Sequence, residues 1–229
     1  MPGPRSSDNV VDIFSGRKAG TIGANRIIRL AAELDGLEML YSNDSAPGKI
    51  FSMKILCWAL RRNGEVEGMI PWLGQLVSAK QLTDPLNGRW EGYYDHRTDH
   101  LFYEPPTHKT AELQAASAWF GSAPEEADKH PVQEIPDNIG THAAFFGHQP
   151  DALTLEPVTS WQLMSDGRLQ AMVADTDQAQ ATPVLPGDVC LCPVQHNPHF
   201  RYFFHHLIAN RLKSGDPETM EHLSQLLQR

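Results

Sequence analysis

The chain has 229 residues, 41% hydrophobic and 21% charged, with a formal net charge of −9. This is ordinary globular composition, sufficient for a core without metals or disulfides, and no stretch approaches the 18 apolar residues of a membrane-spanning helix. Residues 1–30 carry five basic side chains against two acidic, leaving −12 on the rest, and an acidic body argues against a nucleic-acid or anionic-membrane surface.

The first 25 residues are rich in Pro, Gly, Ser and charge and predict a disordered basic tail. The tail lacks the apolar core of a secretory signal, and three sparse cysteines suit a reducing, cytoplasmic setting. Inside it "NVVDIF" forms an apolar island in which Ile13 and Phe14 could dock on a partner or on the chain's own domain. A short helix is expected from Arg26 to Leu34, ended by Gly36. "LEMLYS" reads as a strand, and "KIFSMKILCWALRR" as a long central strand turning at Asn63-Gly64 into "EVEGMIPW". "RWEGYYDHRTDHLFYEPP" reads as a second hairpin with the polar tip "DHRTD", and Thr107 caps a helix over about 108–120.

Residues 124–138 are Pro-rich and acidic and predict a linker. Beyond it "ALTLEPVTSWQLM" turns at Asp166-Gly167 into "RLQAMVAD", and "DVCLCPV" is a short strand. Asn197-Pro198 is a good helix start, and Phe200, Phe203, Phe204, Leu207 and Ile208 make an apolar stripe at helical spacing. A further helix after Asp216-Pro217 would complete a C-terminal helical hairpin.

The segments "WALRRNGEVEGMI" (58–70) and "WQLMSDGRLQAMV" (161–173) align without a gap at an offset of 103. Trp, Leu, Gly and Met recur in register, four identities where about one is expected by chance. The elements around them follow the same order, which suggests one module used twice rather than two unrelated hairpins sharing turn chemistry. The expected fold is therefore α+β. It has two tandem β-rich modules (26–123 and 139–229), each followed by helix, with the helical hairpin closing the second.

Three groups of residues could carry function. In "CLCPVQHNPHF", Cys190, Cys192, His196 and His199 are the right ligand types for zinc, although C-x-C on an extended strand fits a metal less well than a C-x₂₋₄-C turn. At the hairpin tip, Asp95, His96, Asp99 and His100 could hold a transition metal or serve acid–base chemistry, or be a solvated turn. On the same hairpin, Trp90, Tyr93, Tyr94, Phe102 and Tyr103 alternate between faces, so one set must look outward unless both faces are covered. No nucleophile elbow, phosphate loop, dinucleotide fingerprint or H-E-x-x-H is present.

The reading favoured by these features is a non-catalytic cytosolic binding or regulatory protein. It would take a protein or small ligand on its aromatic hairpin or in a pocket between modules. The rival is a zinc-type hydrolase assembled from the His, Asp and Cys residues.

Overall fold

The computed structural model describes residues 25–43, 50–81, 88–117, 129–146, 153–174 and 191–205. They form fourteen strands and one α-helix. The strands of the first half are β1 (Ile27–Ala32), β2 (Glu38–Asn43), β3 (Ile50–Lys54), β4 (Cys57–Arg61), β5 (Val66–Trp72), β6 (Gln75–Ser78), β7 (Gly88–Asp95) and β8 (His100–Phe102), followed by helix α1 (Thr107–Ser117). The second half contributes β9 (Pro131–Pro136), β10 (Thr141–Phe146), β11 (Leu153–Met164), β12 (Leu169–Ala174), β13 (Leu191–Pro193) and β14 (Phe200–His205). All pairings are antiparallel and build three sheets: β1-β4-β5-β6, β3-β2-β7-β8, and β13-β12-β11-β10-β14 with β9 also on β11.

The architecture is thus β, not α+β, and two expected helices are strands. Residues 27–32 form β1, and residues 200–205, expected to open the C-terminal helical hairpin, form β14; the rest of that hairpin lies outside the described residues. The two strands share one physical feature. A β-bulge inserts an extra residue into a strand, so side chains three apart return to the same face. The register slips between Ile27 and Arg29 on β1, and opposite Ala144/Phe145 on β14. Ile27 and Leu30 therefore share one core, as do Phe200 and Phe203, whose rings lie 5.0 Å apart. Spacing of three is what a helix shows in sequence. Elsewhere the hairpins at Asn63-Gly64 and Asp166-Gly167 form as expected, with both glycines at positive φ. The long apolar strand is divided into β3 and β4, and residues 131–136, read as linker, are β9.

The same pairings recur 103 to 110 residues apart. Trp58 lies opposite Gly68 and Trp161 opposite Ala171; Ala31 lies opposite Trp58 and Ile135 opposite Trp161. The bulge at Ile28 recurs at Val132, and both bulged residues point outward. The bulge between Trp90 and Gly92 recurs between Phe200 and Tyr202. Even loop hydrogen bonds repeat: Arg62 N–H to Arg26 carbonyl (3.0 Å) matches Ser165 N–H to His130 carbonyl (2.9 Å).

Two cores follow. One fills the first half around Trp58, Tyr93, Met39 and Ile70 and includes Leu113 of α1. The other fills the second half around Trp161, Phe203 and Phe145, and it runs on without a break into Leu30, Cys57, Ala59 and Met69 of the first half. Strand β4 is consequently buried on both faces. Trp58 and Leu60 face their own core while Cys57 and Ala59 face the other half, which is why its sequence is apolar without alternation. The Gln133 side chain clasps both backbone groups of Leu30, at 2.8 and 2.7 Å, across this junction.

Candidate functional site

Each half contains a carboxylate clip under its tryptophan. Glu33, almost fully buried, accepts the Trp58 indole N–H at 2.6 Å through Oε2 and the Asp35 N–H at 2.5 Å through Oε1. Asp137 accepts the Trp161 indole N–H at 3.0 Å through Oδ2 and the amides of Ile139, Gly140 and Thr141 through Oδ1. A buried indole N–H and a row of turn amides need an acceptor, and a carboxylate supplies several lone pairs at once. The turns beneath the clips close at Gly36 and Gly140, with φ of 76° and 75°.

The turns differ at their tips. In the second half the residue before the glycine is Ile139, buried in the core. In the first half it is Asp35, whose side chain is partly exposed although its amide bonds Glu33 just as the Ile139 amide bonds Asp137. Asp35 faces the His108 imidazole at 3.5 Å and two cationic groups, Arg97 at 3.8 Å and Lys109 at 3.8 Å. Lys109 is buried and also donates to the Ala32 carbonyl, which fastens α1 to β1.

Around Asp35 lies an open groove of about 640 Å³ between the β1–β2 turn, the β7–β8 hairpin and the start of α1. Its walls include Asp95, Arg97, His100, Phe102, Tyr103 and Pro106. Arg97 binds Asp95 through Nε at 3.2 Å, and this guanidinium holds the Asp95 carboxyl below the usual range. His100 stacks near-parallel on Phe102, with centroids 6.1 Å apart. Tyr103 is the exposed aromatic of the groove, its ring edge-on to Trp90 at 6.1 Å.

The aromatic surface expected on the β7–β8 hairpin is mostly interior. Tyr93 is buried against Trp58, with ring centroids 5.0 Å apart, and its hydroxyl accepts the Gly68 N–H at 3.1 Å. Tyr94, on the opposite face, packs with Leu40, Ile50 and Leu101 and donates to Asp99 at 2.8 Å. Burial first, and the Asp99 carboxylate second, raise its hydroxyl to about 12. Trp90 and Phe102 are half-buried on the first core, so of the five only Tyr103 is an exposed ring. Both faces of this sheet are covered, as the alternation rule permits.

The expected ligand groups are dispersed. At the hairpin tip Asp95 serves Arg97, Asp99 serves Tyr94 and takes a left-handed φ of 54°, and His96 stands 4.0 Å from the buried Glu38. Cys192 is half-buried on β13, His196 is exposed at the end of a 3₁₀ turn, and the His199 N–H donates to Asn197. Among the described residues no three His, Cys, Asp or Glu side chains are grouped to hold a metal; Cys190, Ile13 and Phe14 lie outside those residues. Cys57 is buried, and burial pushes its thiol up, which makes it an inert core residue.

Asp35, Arg97 and His108 were not singled out from sequence. A signal existed. At an offset of 104, "ELDG" (33–36) aligns with "DNIG" (137–140), and the contrast Asp35/Ile139 marks the position where one half exposes a charge that the other buries as hydrocarbon.

Comparison with models of known protein families, with curated proteins and with solved structures finds no match. Among the described residues no helix is long and apolar enough to cross a membrane.

Proposed function

We propose that the chain is a non-catalytic binding or regulatory protein built on a duplicated β-module, with its ligand in the groove around Asp35. The contrast between Asp35 and Ile139 carries this reading. The backbone turn, the clip and the glycine are the same in both halves, so the fold does not require a carboxylate at this tip. A charged residue placed where its counterpart fills a core, and beside an aromatic wall, suits recognition better than packing. Supporting it, the charged groups around the groove are tied into pairs rather than offering a free base: Asp35 with Lys109 and His108, Asp95 with Arg97.

The test is a screen of a chemically diverse fragment set against the ¹⁵N-labelled full chain. Hits should shift the amide signals of Asp35, Thr98, Tyr103 and His108 together. Hits that cluster on the second half, or none at all on these residues, would overturn the assignment.

A further inference from the structure

We infer that the groove takes a basic peptide segment, seating one arginine or lysine against Asp35 and Asp95 and laying apolar neighbours on Phe102 and Tyr103. This rests on the reading of the groove as a binding site and deepens it.

The sign of the charge comes first. Among the lining residues three carboxylates (Asp35, Asp95, Glu104) stand against one guanidinium (Arg97), and Glu104 has the Lys80 ammonium at 3.4 Å. The whole chain carries −9, so the far field attracts a cation. Lys109 offsets part of the Asp35 charge from behind, but it is buried and committed to the Ala32 carbonyl.

The geometry comes second. Arg97 already lies between the two acids, 3.8 Å from Asp35 and 3.2 Å from Asp95, so the pair accepts a guanidinium at this spacing. The Arg97 side chain is 55% exposed, and an exposed ion pair holds its partner weakly. It can therefore swing out and yield the two carboxylates to an incoming cation. On this account Arg97 is an internal occupant that competes with the ligand.

The walls come third. Tyr103 is 55% exposed and adjoins Trp90, whose ring already carries the Lys80 ammonium at 5.5 Å. Aromatic faces beside carboxylates are favourable for cationic side chains. Phe102 and Pro106 extend the apolar surface along the groove. The rigid turn matters as well: Glu33 and Gly36 fix the Asp35 backbone, so little ordering cost remains when the ligand arrives.

Three tripeptides test this against the labelled full chain: acetyl-Pro-Arg-Leu-amide, its citrulline counterpart and its glutamate counterpart. The arginine peptide should shift the Asp35, Asp95, Thr98 and Tyr103 amides saturably, with the citrulline peptide about tenfold weaker. Asp35→Asn and Asp95→Asn should each weaken the arginine peptide, with unchanged Trp58 and Trp161 indole signals confirming the fold. Arg97→Gln should tighten it about two- to fivefold by removing the competitor, an effect that a purely structural Arg97 would not produce. Weaker binding to Arg97→Gln, or equal binding of the citrulline peptide, overturns the inference. Preference for the glutamate peptide overturns the charge assignment while leaving the groove a binding site. If none of the three shifts these amides, the inference fails, and the fragment screen decides separately whether the groove binds anything.

Discussion

The back faces of the two half-sheets carry opposite chemistry on the same backbone. In the first half Leu30, Cys57 and Ala59 point away from their own core and are buried by the other half. At the matching positions the second half has Glu134, Ser160 and Gln162, and the Gln162 amide donates to Glu134 at 3.0 Å. One face is an apolar junction and the other is polar, with Glu134 exposed, Gln162 half-buried and Ser160 buried. The difference teaches that hydrophobic pattern within a strand reports what lies on the far side of the sheet, not only the strand's own fold. The largest effect should come from erasing it. Ala59→Gln places an amide in a fully buried site and should cost about 3 kcal/mol by chemical denaturation. The mirror change Gln162→Ala, on the polar face, should stay within about 0.5 kcal/mol. Equal small effects would show that the halves do not pack through this face.

The clips sharpen the comparison next. Glu33→Ala and Asp137→Ala each leave a buried indole N–H without its acceptor, and each should lose about 2 kcal/mol. They should differ in reach. Glu33 also fixes the Asp35 backbone, so its loss should shift the Arg97 and His108 amide signals as well, whereas Asp137→Ala should leave the groove signals in place. If Asp137→Ala moved them, the groove would not be a local property of the first half.

A paired difference sits in the two cores. Gly68 lies opposite Trp58 and against Tyr93, and Ala171 lies opposite Trp161, whose ring packs on Phe203. A Cβ on Gly68 would stand 2.9 Å from Tyr93 Cε1 and 3.3 Å from its hydroxyl oxygen. The phenol ring and its hydroxyl thus occupy the room beside Gly68 that a methyl group would need, and the hydroxyl accepts the Gly68 N–H. Gly68→Ala should cost about 2 kcal/mol. Adding Tyr93→Phe frees the ring to move and should recover about 1 kcal/mol of that, a coupling read from a double-mutant cycle. Phe203→Tyr should harm the second half and be relieved by Ala171→Gly. Strict additivity in both cycles would sink the account.

Much of the β scaffold was legible in the chain because turn chemistry is local. Asn63-Gly64 and Asp166-Gly167 need positive φ, and the offset of 103 exposed the shared hairpin. Thr107–Ser117 was legible as a helix for the same reason. The bulges were not legible. They turn the period of two into a spacing of three, so Phe200/Phe203 looked helical, and only the partner strand reveals the extra residue. The aromatic hairpin misled in another way. Alternation told that Tyr93 and Tyr94 lie on opposite faces, but not that Leu40, Ile50 and Leu101 cover the second one. Of the groove, Asp95, His100, Phe102 and Tyr103 were visible as candidates, while Asp35 comes from 60 residues or more away in sequence and His108 from the start of α1. Their meeting depends on how α1 docks on β1, which local pattern does not encode.

The smallest effect concerns a phenol present in only one half. Tyr94 pairs with Glu38 on β2, and at the equivalent register Phe204 pairs with His142 on β10. Burial, then the Asp99 hydrogen bond and charge, raise the Tyr94 hydroxyl from 10.0 to about 12. Between these values the folded chain keeps a proton that the unfolded chain has released. The native state binds more protons there, so stability falls as pH rises from about 10 to about 12 and is unaffected by this group below that window. Tyr94→Phe should flatten this part of the alkaline decline while costing only about 1 kcal/mol at pH 7, where a single hydrogen bond is lost. Asp99→Asn should lower the Tyr94 midpoint but leave it above 10, because burial, the larger cause, remains. A ¹³C-tyrosine titration assigned with Tyr94→Phe follows both directly. A Tyr94 midpoint near 10 would mean that the outer face of the β7–β8 hairpin is open to water, and with it the cover that separates this hairpin from an exposed aromatic surface.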